Sequence, residues 1–296
     1  MITAHDLGSY NIKNDKKNIF TSRFEEWDGN NTIGEELLEY NGITYAMGKG
    51  LFDNEFDKTE KNYMPNLLLS LDKYMKNKTK LEGVDLVLGL PLGNLGKSEE
   101  MKTALANQQF TYKLNGVEKT ISINRVAIVG EGIGAYYTID EEIRKTQDIL
   151  LFDIGGRTTN VMIFRKGKLI DKFTIPVGSI DLFTDFAKYY NNKYGGNKIA
   201  EDIEELIQKK IITDDEEIIR LKEKFLKKIL NGIKINKVDL RLYANYFSGG
   251  GSLIIKKQID ELKETYQVEL IENPVFANVL GNKLLAEAMW GEDMDE

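Results

Sequence analysis

Two short stretches of the sequence place an aspartate, then glycine and polar residues, directly after an apolar run. One is HDLGSYNIK, in which the acid is Asp6, and the other is LLFDIGGRTTN, in which the acid is Asp153. Glycine lets the backbone approach a ligand closely, so that amide N–H groups can point at phosphate oxygens. Since a carboxylate repels phosphate, an aspartate in such a turn indicates a magnesium ion, with its water shell, between the two.

Several other residues of these turns are candidates for phosphate binding. They are Gly8, Ser9, Tyr10, Asn11 and Lys13 in the first turn, with Asp6, and Gly155, Gly156, Arg157, Thr158 and Thr159 in the second. Hydroxyl and amide groups donate hydrogen bonds, and a lysine neutralises phosphate charge. For either turn alone, an ordinary Asx turn is the alternative. Because the two turns lie almost half of the 296-residue chain apart, we expect two related lobes that each contribute one loop to a shared site.

Two further stretches suit the same ligand. In FSGGGSLII, Gly249, Gly250 and Gly251 precede Ser252 and a helical pattern. This arrangement brings backbone amides and a helix N-terminus against a nucleotide; a flexible glycine turn is the alternative. In VAIVGEGIG, Glu131 follows a buried strand, where a carboxylate can polarise an attacking water as a general base. A helix-start glutamate that interacts with the helix dipole is the alternative there.

The elements that must position these residues alternate between strands and helices. Apolar patterning predicts strands at 2–5, 18–24, 36–40, 43–47, 84–91, 109–113, 117–122, 126–129, 149–153, 161–164 and 169–175, and helices at 63–76, 133–144, 180–190, 198–210 and 214–231. Asn41 and Gly42 predict a hairpin, since both positions accept positive φ. The alternating Lys and Glu of the later helices predict a solvated face.

Composition excludes several classes of protein. Hydrophobic residues make up 42% and charged residues 29% of the chain, which is typical of a globular protein. The chain has no cysteine and a single histidine, His5, which excludes disulfide frameworks, thiolate metal sites and histidine clusters. The net charge of −7 argues against a broad nucleic-acid-binding face. No signal-peptide pattern or membrane-spanning apolar run is present, so we expect a cytoplasmic protein without a membrane partner.

Five segments, taken in chain order, resemble the nucleotide-site segments of the actin, chaperone and sugar-kinase superfamily. They are DLGSYNIK, EGIGAYY, DIGGRTTN, SGGGS and NPVFANVLGNKLLAEA. The sequence most resembles the bacterial plasmid-segregation actins of the ParM type. This resemblance implies an α/β, actin-like ATPase fold: two related lobes, each with a mixed sheet flanked by helices, and a nucleotide in the cleft between them.

The resemblance also implies a division of the chain. Lobe I would span residues 1–147, with a small subdomain at about 25–60, and the C-terminal helix 280–296 would return to it. Lobe II would span 148–279, with a helical subdomain at about 190–240.

A Mg-dependent ATPase is the activity that the resemblance implies. Glu131 and Asp153 would be catalytic, and Asp6 and Asp153 would hold Mg²⁺ through water. Adenosine would be bound by Glu201, Asp202, Glu205, Gly249, Gly250, Gly251 and Ser252. Asn160 departs from the pattern, since this position is commonly an acid in ParM-type proteins and a histidine in eukaryotic actin.

In this family the chain would polymerise with itself on ATP, with GTP as the alternative nucleotide, and hydrolyse it to ADP. A centromere-binding adaptor protein would link the filament to plasmid DNA, so no direct nucleic-acid contact is expected. The alternatives are a small-molecule kinase, a chaperone-like ATPase of the same superfamily, and a chromosomally encoded cell-shape or division actin.

Overall fold

Strands and helices alternate along the chain, as its apolar patterning predicts. The computed structural model describes residues 1–29, 34, 36–52 and 62–291. The strands are β1 (Ile2–Leu7), β2 (Asn11–Asn14), β3 (Ile19–Thr21), β4 (Phe24–Glu26), β5 (Glu36–Tyr40), β6 (Ile43–Met47), β7 (Lys80–Leu90), β8 (Gln108–Leu114), β9 (Val117–Gly130), β10 (Asp148–Ile154), β11 (Thr159–Arg165), β12 (Lys168–Ile175), β13 (Ala244–Ser248) and β14 (Val268–Leu270). The α-helices are α1 (Met64–Asp72), α2 (Ser98–Leu105), α3 (Ile133–Tyr137), α4 (Glu141–Thr146), α5 (Ser179–Tyr194), α6 (Ala200–Gln208), α7 (Glu216–Ile235), α8 (Gly250–Ile254), α9 (Lys256–Glu261) and α10 (Ala277–Gly291).

The chain divides into two compact units, and each has its own sheet. The first unit contains Met1–Tyr137 and the chain from Asn278 onward, and the second contains Thr138–Ala277. Helix α10 therefore packs almost entirely with the first unit, although it is the last element of the chain.

Both units contain the same five-stranded arrangement. The strand order is β3-β2-β1-β7-β9 in the first unit and β12-β11-β10-β13-β14 in the second. In each, the earliest strand pairs antiparallel with the strand that follows it and parallel with a crossover strand on its other side. Asp6 and Asp153 are the second-last residues of β1 and β10. The repeated topology thus places the two carboxylates at equivalent positions.

Four more strands extend the sheet of the first unit beyond β9, in the order β8-β5-β6-β4. Strands β5 and β6 form the hairpin predicted at Asn41 and Gly42, with Tyr40 paired with Ile43. Both turn residues have positive φ, 50° and 78°, as a two-residue turn that matches the strand twist requires. The predicted hairpin is confirmed.

Helix α1 covers the sheet of the first unit. It starts with Pro65 in its first turn, where the missing N–H costs nothing. Leu67, Leu68 and Leu71 are fully buried in a core that also contains Leu86 and other residues of β7. Burying a leucine side chain stabilises the fold by about 1.5–3 kcal/mol, so this layer fixes β1 and β7 in place.

A buried polar network lies beneath α1. The Nδ1 atom of His5 lies 2.7 Å from Ser70 Oγ, and complete burial lowers the pKa of His5 to about 4. Asp15 accepts hydrogen bonds from a backbone N–H of β1, from the Tyr74 hydroxyl and from Lys283 of α10. Burial alone would raise the pKa of Asp15, but these donors outweigh it and hold that pKa below its usual range. The network joins β1, α1 and α10.

The second unit is organised around β10. Every residue of this strand after Asp148 is buried, which is typical of a central strand covered on both faces. Helix α7 is amphipathic, with Ile218, Leu221, Phe225, Leu226, Ile229 and Ile233 buried on one face. Its lysines and glutamates are mostly exposed, as the sequence predicts for a solvated face.

Four predicted elements are wrong in their limits. The helix predicted over 133–144 is two short helices, α3 and α4, because the Asp140 side chain accepts hydrogen bonds from the N–H groups of Glu142 and Ile143 and starts a new helix. The strand predicted over 18–24 is divided into β3 and β4. The two strands predicted within 117–129 are one strand, β9.

The predicted lobe boundaries, 1–147 and 148–279, stay a prediction. The small subdomain predicted at about 25–60 includes β4, β5 and β6, but much of it lies outside the described residues. The helical subdomain predicted at about 190–240 contains α6 and α7. The predicted C-terminal helix is α10 as far as residue 291, and the remainder lies outside the described part of the chain.

Candidate functional site

The first predicted turn closes a tight hairpin between β1 and β2. Asp6 pairs with Lys13 across the hairpin. A Cβ atom added to Gly8 would lie only 2.6 Å from the carbonyl oxygen of Asn11, so the chain can turn this sharply only with glycine at that position. Ser9 and Tyr10 form the tip.

Ser22 holds the carbonyl groups of this tip. Its hydroxyl donates to the carbonyl oxygen of Ser9 at 2.7 Å, and its N–H donates to that of Tyr10 at 3.0 Å. In a trans peptide the N–H points opposite to the C=O, so the N–H of Tyr10 points away from Ser22. The Tyr10 ring stacks on Phe52, with 4.7 Å between ring centroids. One amide donor of the turn is therefore oriented by its surroundings.

Lys13 and Asp6 form an ion pair across the hairpin. The Lys13 Nζ atom lies 3.1 Å from Asp6 Oδ2, and the two side chains are only 14% and 10% exposed. The predicted cation and the predicted carboxylate of the first loop thus lie side by side, where the lysine offsets the negative charge of the aspartate.

The second turn closes a hairpin between β10 and β11 in the same way. Asp153 pairs with Asn160, and the Gly155 N–H donates to the carbonyl oxygen of Thr158 at 2.9 Å. Thr159 is buried and its hydroxyl donates to a backbone carbonyl at 2.8 Å, so this predicted phosphate donor has a structural partner within the protein.

Counting from the paired aspartates, the two turns correspond residue by residue. Gly155 corresponds to Gly8, and Arg157 to Tyr10, as the second residue of each two-residue tip. Arg157 and Tyr10, the bulky residues of the two turns, therefore occupy equivalent positions.

The start of α5 holds the carbonyl groups of the second turn. The N–H groups of Ser179 and Ile180 donate to the carbonyl oxygens of Gly155 and Gly156 at 3.0 and 2.8 Å. By the same peptide geometry, the N–H groups of Gly156 and Arg157 point away from α5. Two amide donors are thus oriented on one side of the turn, which is the requirement for an anion-binding concavity.

Gly178 was not predicted as a site residue, yet it packs against the same turn. A Cβ atom there would lie 2.4 Å from the Gly156 carbonyl oxygen and 2.5 Å from the Arg157 nitrogen. The N–H of Gly178 donates to Asp181 Oδ2 at 2.9 Å. The order Gly-Ser-x-Asp signals the start of a helix. The sequence does not show, however, that the start of α5 packs against the turn after Asp153.

The three glycines after β13 have different roles. Gly249 has φ +83°, and a Cβ there would lie 2.4 Å from the Ile154 carbonyl oxygen and 2.7 Å from Asp153 Oδ1. A Cβ on Gly251 would lie 2.3 Å from Ile154 Cγ2. Apart from its chain neighbours and the backbone of its own helix, no heavy atom of the described residues lies within 4 Å of one on Gly250. Gly249 and Gly251 are required by packing on β10, and Gly250 presents bare backbone to open space.

Ser252 stabilises this glycine turn through two hydrogen bonds to its backbone. Its hydroxyl and its N–H both donate to the Gly249 carbonyl oxygen, at 2.6 and 3.2 Å, and the Gly249 N–H donates to the Pro274 carbonyl oxygen at 3.0 Å. With that carbonyl group held inward, the N–H of Gly250 points outward. The second unit thus brings Asp153, its turn and an exposed backbone amide close together.

Glu131 stands at the carboxyl end of β9. Its N–H donates to the Leu90 carbonyl oxygen at 2.8 Å, and Gly132, with φ +82°, turns the chain toward α3. A Cβ on Gly89 would lie 3.7 Å from Glu131 Cγ, so the glutamate side chain lies over a position of β7 that has no side chain. Glu131 is half-buried and belongs to the first unit, which also contains the Asp6 hairpin.

The predicted adenosine-binding acids lie on α6. Asp202 accepts a hydrogen bond from the Ile199 N–H at 2.9 Å and so caps the helix. Glu205 is ion-paired with Lys209, which lowers the pKa of Glu205. Glu201 is half-buried. The structure gives two of these acids local partners, and their contact with adenosine stays a prediction.

No group of three or more histidines or acids close enough to hold a metal occurs among the described residues. Asp6 and Asp153 each stand as single carboxylates in their turns. Mg²⁺ usually keeps several waters and takes one or two carboxylates plus substrate phosphates. Single acids beside oriented amides fit that mode of binding, whereas they do not fit a site in which protein groups alone surround the metal.

Comparison with protein families gives one match. Residues 4–134 match the model described as the N-terminal domain of actin-like proteins. This segment includes both the Asp6 hairpin and Glu131. The chain has no significant match among curated protein sequences.

Solved structures match the chain over nearly its whole length. The archaeal actin homologue Ta0583 superposes with a TM-score of 0.79 at 19% identity, covering 97% of this chain and 99% of that one. The ParM filament from Clostridium botulinum gives 0.72 at 19% identity, with the same coverages. The actin-like protein Alp7A gives 0.78 at 15% identity, covering 99% and 97%.

The chain has the actin-like fold. The resemblance inferred from the five sequence segments is confirmed, as is the predicted class of two mixed sheets flanked by helices. Within this actin-like fold, each sheet carries one aspartate hairpin at the equivalent position. Among the described residues, no helix has the length and apolarity that a membrane crossing requires.

Proposed function

We propose that the chain is an actin-like ATPase that binds Mg-ATP, polymerises into filaments and hydrolyses the nucleotide. The observation that carries this proposal is the duplicated hairpin. Asp6 and Asp153 end equivalent strands, and in both turns neighbouring groups hold the carbonyl oxygens so that amides point outward. Two turns with outward amides can bind successive groups of a phosphate chain, whereas a structural Asx turn needs no oriented, outward amides.

Phosphate binding is assigned to both turns. Amide N–H groups at the tips donate to phosphate oxygens, and the side chains of Ser9, Asn11 and Thr158 add donors. Lys13, now paired with Asp6 at 3.1 Å, is close enough to the first turn to contact a phosphate oxygen as well. The bare backbone at Gly250 lets the glycine turn approach the nucleoside.

Magnesium would be held by Asp6 and Asp153 through water. When bound, Mg²⁺ neutralises phosphate charge and orients the phosphate groups. The protein contributes fixed acceptors for the water shell: Asp6 is 7% and Asp153 6% exposed, so neither carboxylate can move far.

Glu131 is the general base in this proposal. Its position directly after a buried strand, with its N–H fixed on Leu90, holds the carboxylate at the edge of the sheet. A carboxylate there can accept a hydrogen bond from the attacking water and take its proton as the oxygen attacks the γ-phosphorus. The bond from that phosphorus to the β,γ-bridging oxygen then breaks, and ADP and phosphate are released.

Filament formation and plasmid segregation are the finer part of the proposal. Ta0583 has also been crystallised in complex with ADP, and the Clostridium botulinum ParM forms a 15-stranded filament. We propose the same general behaviour for this chain: a cytoplasmic filament of identical subunits that moves plasmid DNA through a centromere-binding adaptor. ATP is the expected nucleotide, with GTP as the alternative.

The test separates hydrolysis from assembly at Glu131. The Glu131→Ala variant should bind ATP and polymerise, because those steps need the phosphates rather than the reaction. Its phosphate release should fall about 10²- to 10⁴-fold. Light scattering and phosphate release are measured on the same sample. Hydrolysis at the wild-type rate would refute the role of Glu131, and loss of polymerisation despite ATP binding would refute the separation.

A further inference from the structure

The helix that follows Glu131 is preceded by a glycine, which has no capping side chain. The first N–H groups of any helix have no partner within it, and usually a Ser, Thr, Asp or Asn just before the helix accepts one of them. Here α3 (Ile133–Tyr137) is preceded by Gly132, which has no side chain. A side-chain acceptor for the first N–H groups of α3 therefore has to come from another residue.

Asn278 supplies it from 146 residues away in the chain. The Oδ1 atom of Asn278 accepts the N–H of Gly132 at 3.0 Å and the N–H of Ala135 at 3.3 Å. One side-chain oxygen thus holds both the turn after Glu131 and the first turn of α3. Asn278 lies in the first turn of α10.

The position of Asn278 is itself fixed by close backbone packing. A Cβ added to Gly281 would lie 1.8 Å from the Gly134 carbonyl oxygen, and one added to Gly134 would lie 2.2 Å from the Asn278 carbonyl oxygen. The backbones of α3 and α10 are therefore in direct contact. One turn further along α10, Lys283 is anchored to Asp15 at 2.8 Å.

Asn282 completes the same face of α10. It is 1% exposed, and its Nδ2 atom lies 3.6 Å from the position that a Cβ on Gly89 would take, while Glu131 Cγ lies 3.7 Å from that position. Asn282 and Glu131 thus lie next to the same residue of β7, Gly89, which has no side chain. Helix α10 borders both the backbone after Glu131 and the space beside its side chain.

From these contacts we infer that Asn278 is a positioning residue for Glu131. The N–H of Glu131 donates to Leu90, and the next residue along the chain is Gly132, whose φ of +82° is a conformation that other residues rarely adopt. The Asn278 amide holds that glycine in place. This inference deepens the proposed function and rests on the assignment of Glu131 as general base.

Removing the acceptor should slow hydrolysis without weakening ATP binding. In Asn278→Ala the two amides lose the Asn278 oxygen, and the turn after Glu131 is less firmly held. A displacement of about 1 Å at a catalytic group costs on the order of 10²-fold in rate, so we expect single-turnover phosphate release to fall about 10- to 100-fold. The Kd for ATP should change by less than about threefold, since the two amides that Asn278 accepts, those of Gly132 and Ala135, lie outside the phosphate turns.

Two further variants control this experiment. Asn278→Asp keeps an oxygen of the same reach and should restore the rate to within several-fold of wild type. Asn192→Ala removes an exposed asparagine of α5 and should have no effect. Should Asn278→Ala fail to fold, Asn278→Ser, whose hydroxyl is too short to reach both amides, replaces it with the same expected slowing.

A double-mutant cycle with Glu131→Ala decides the mechanism. If Asn278 acts through Glu131, the double variant should be no slower than Glu131→Ala alone, because the positioned group is already absent. Additive losses, equal losses of ATP affinity and rate, or wild-type rates in Asn278→Ala would each overturn the inference. Those results leave the proposed function standing. A wild-type rate in Glu131→Ala would instead refute the catalytic assignment together with the inference that rests on it.

Discussion

The glycine turn after β13 offers a sharp test of nucleotide binding, because its members differ only in their surroundings. Gly250 faces open space within the described structure, whereas Gly251 faces Ile154 Cγ2 at 2.3 Å. Gly250→Val should therefore leave the nucleotide-free protein as stable as wild type, since surface changes without new contacts cost within about 0.5 kcal/mol. Gly251→Ala should destabilise it by about 1–3 kcal/mol through overpacking.

Binding of ATP should respond in the opposite order. In the proposed site a valine at Gly250 would stand where the backbone approaches the nucleoside, and overpacking of about 1–3 kcal/mol there corresponds to roughly 5- to 150-fold weaker binding. Ligand at about 100 times Kd stabilises a protein by about 2.7 kcal/mol. A 100-fold loss of affinity would reduce that stabilisation to about 0.4 kcal/mol.

Thermal unfolding with and without Mg-ATP measures both effects. For a protein of this size 1 kcal/mol shifts Tm by about 2 °C, so ATP should raise the wild-type Tm by about 5 °C and that of Gly250→Val by about 1 °C. Gly251→Ala should start about 2–6 °C lower but retain most of its ATP-induced rise. An ATP-induced rise in Gly250→Val equal to that of wild type would show that the turn is only a linker.

Three further predictions follow from the same structure. Asp6→Ala and Asp153→Ala should each abolish magnesium-dependent ATP binding in calorimetry, and unchanged affinity in both would contradict the two-turn assignment. Gly178→Ala should weaken ATP binding and lower Tm together, because its Cβ would lie 2.4 Å from the Gly156 carbonyl oxygen; a variant with wild-type binding would show that the start of α5 does not set the turn. Stability should fall as pH drops from 6.5 toward 4, because the unfolded chain binds a proton at His5 in this range while the folded protein, with its pKa of about 4, does not. The loss amounts to about 1.4 kcal/mol per pH unit, or roughly 3 kcal/mol in total, and urea unfolding of wild type and His5→Gln checks it, since the variant should lose less.

The two aspartate turns of the candidate site could be predicted because they are encoded locally. The order of acid, glycine and polar residues around Asp6 and Asp153 specifies a hairpin with a tight tip, whatever the rest of the chain does. The Asn41 and Gly42 turn is local in the same sense. Repetition of one pattern after half the chain was enough to indicate two related lobes.

Other features depend on contacts between distant segments and could not be read from the sequence. Gly249, Gly250 and Gly251 look alike in sequence, and only the position of Ile154 on a neighbouring strand distinguishes them. The cap that Asn278 places on α3 joins residues 146 positions apart. The break between α3 and α4 is different, because Asp140 before two glutamates is a local capping signal that the apolar periodicity concealed.

Sedimentation of the purified wild-type chain with Mg-ATP, with Mg-ADP and without nucleotide, alongside phosphate release from the same samples, tests the central claim most directly. The proposed function predicts polymer in the pellet with Mg-ATP, visible as filaments by electron microscopy, and phosphate release that needs no added acceptor substrate. The duplicated aspartate hairpins would then serve a polymerising ATPase. A chain that stays in the supernatant with all nucleotides, or that turns over ATP only when a small-molecule acceptor is supplied, would contradict the account.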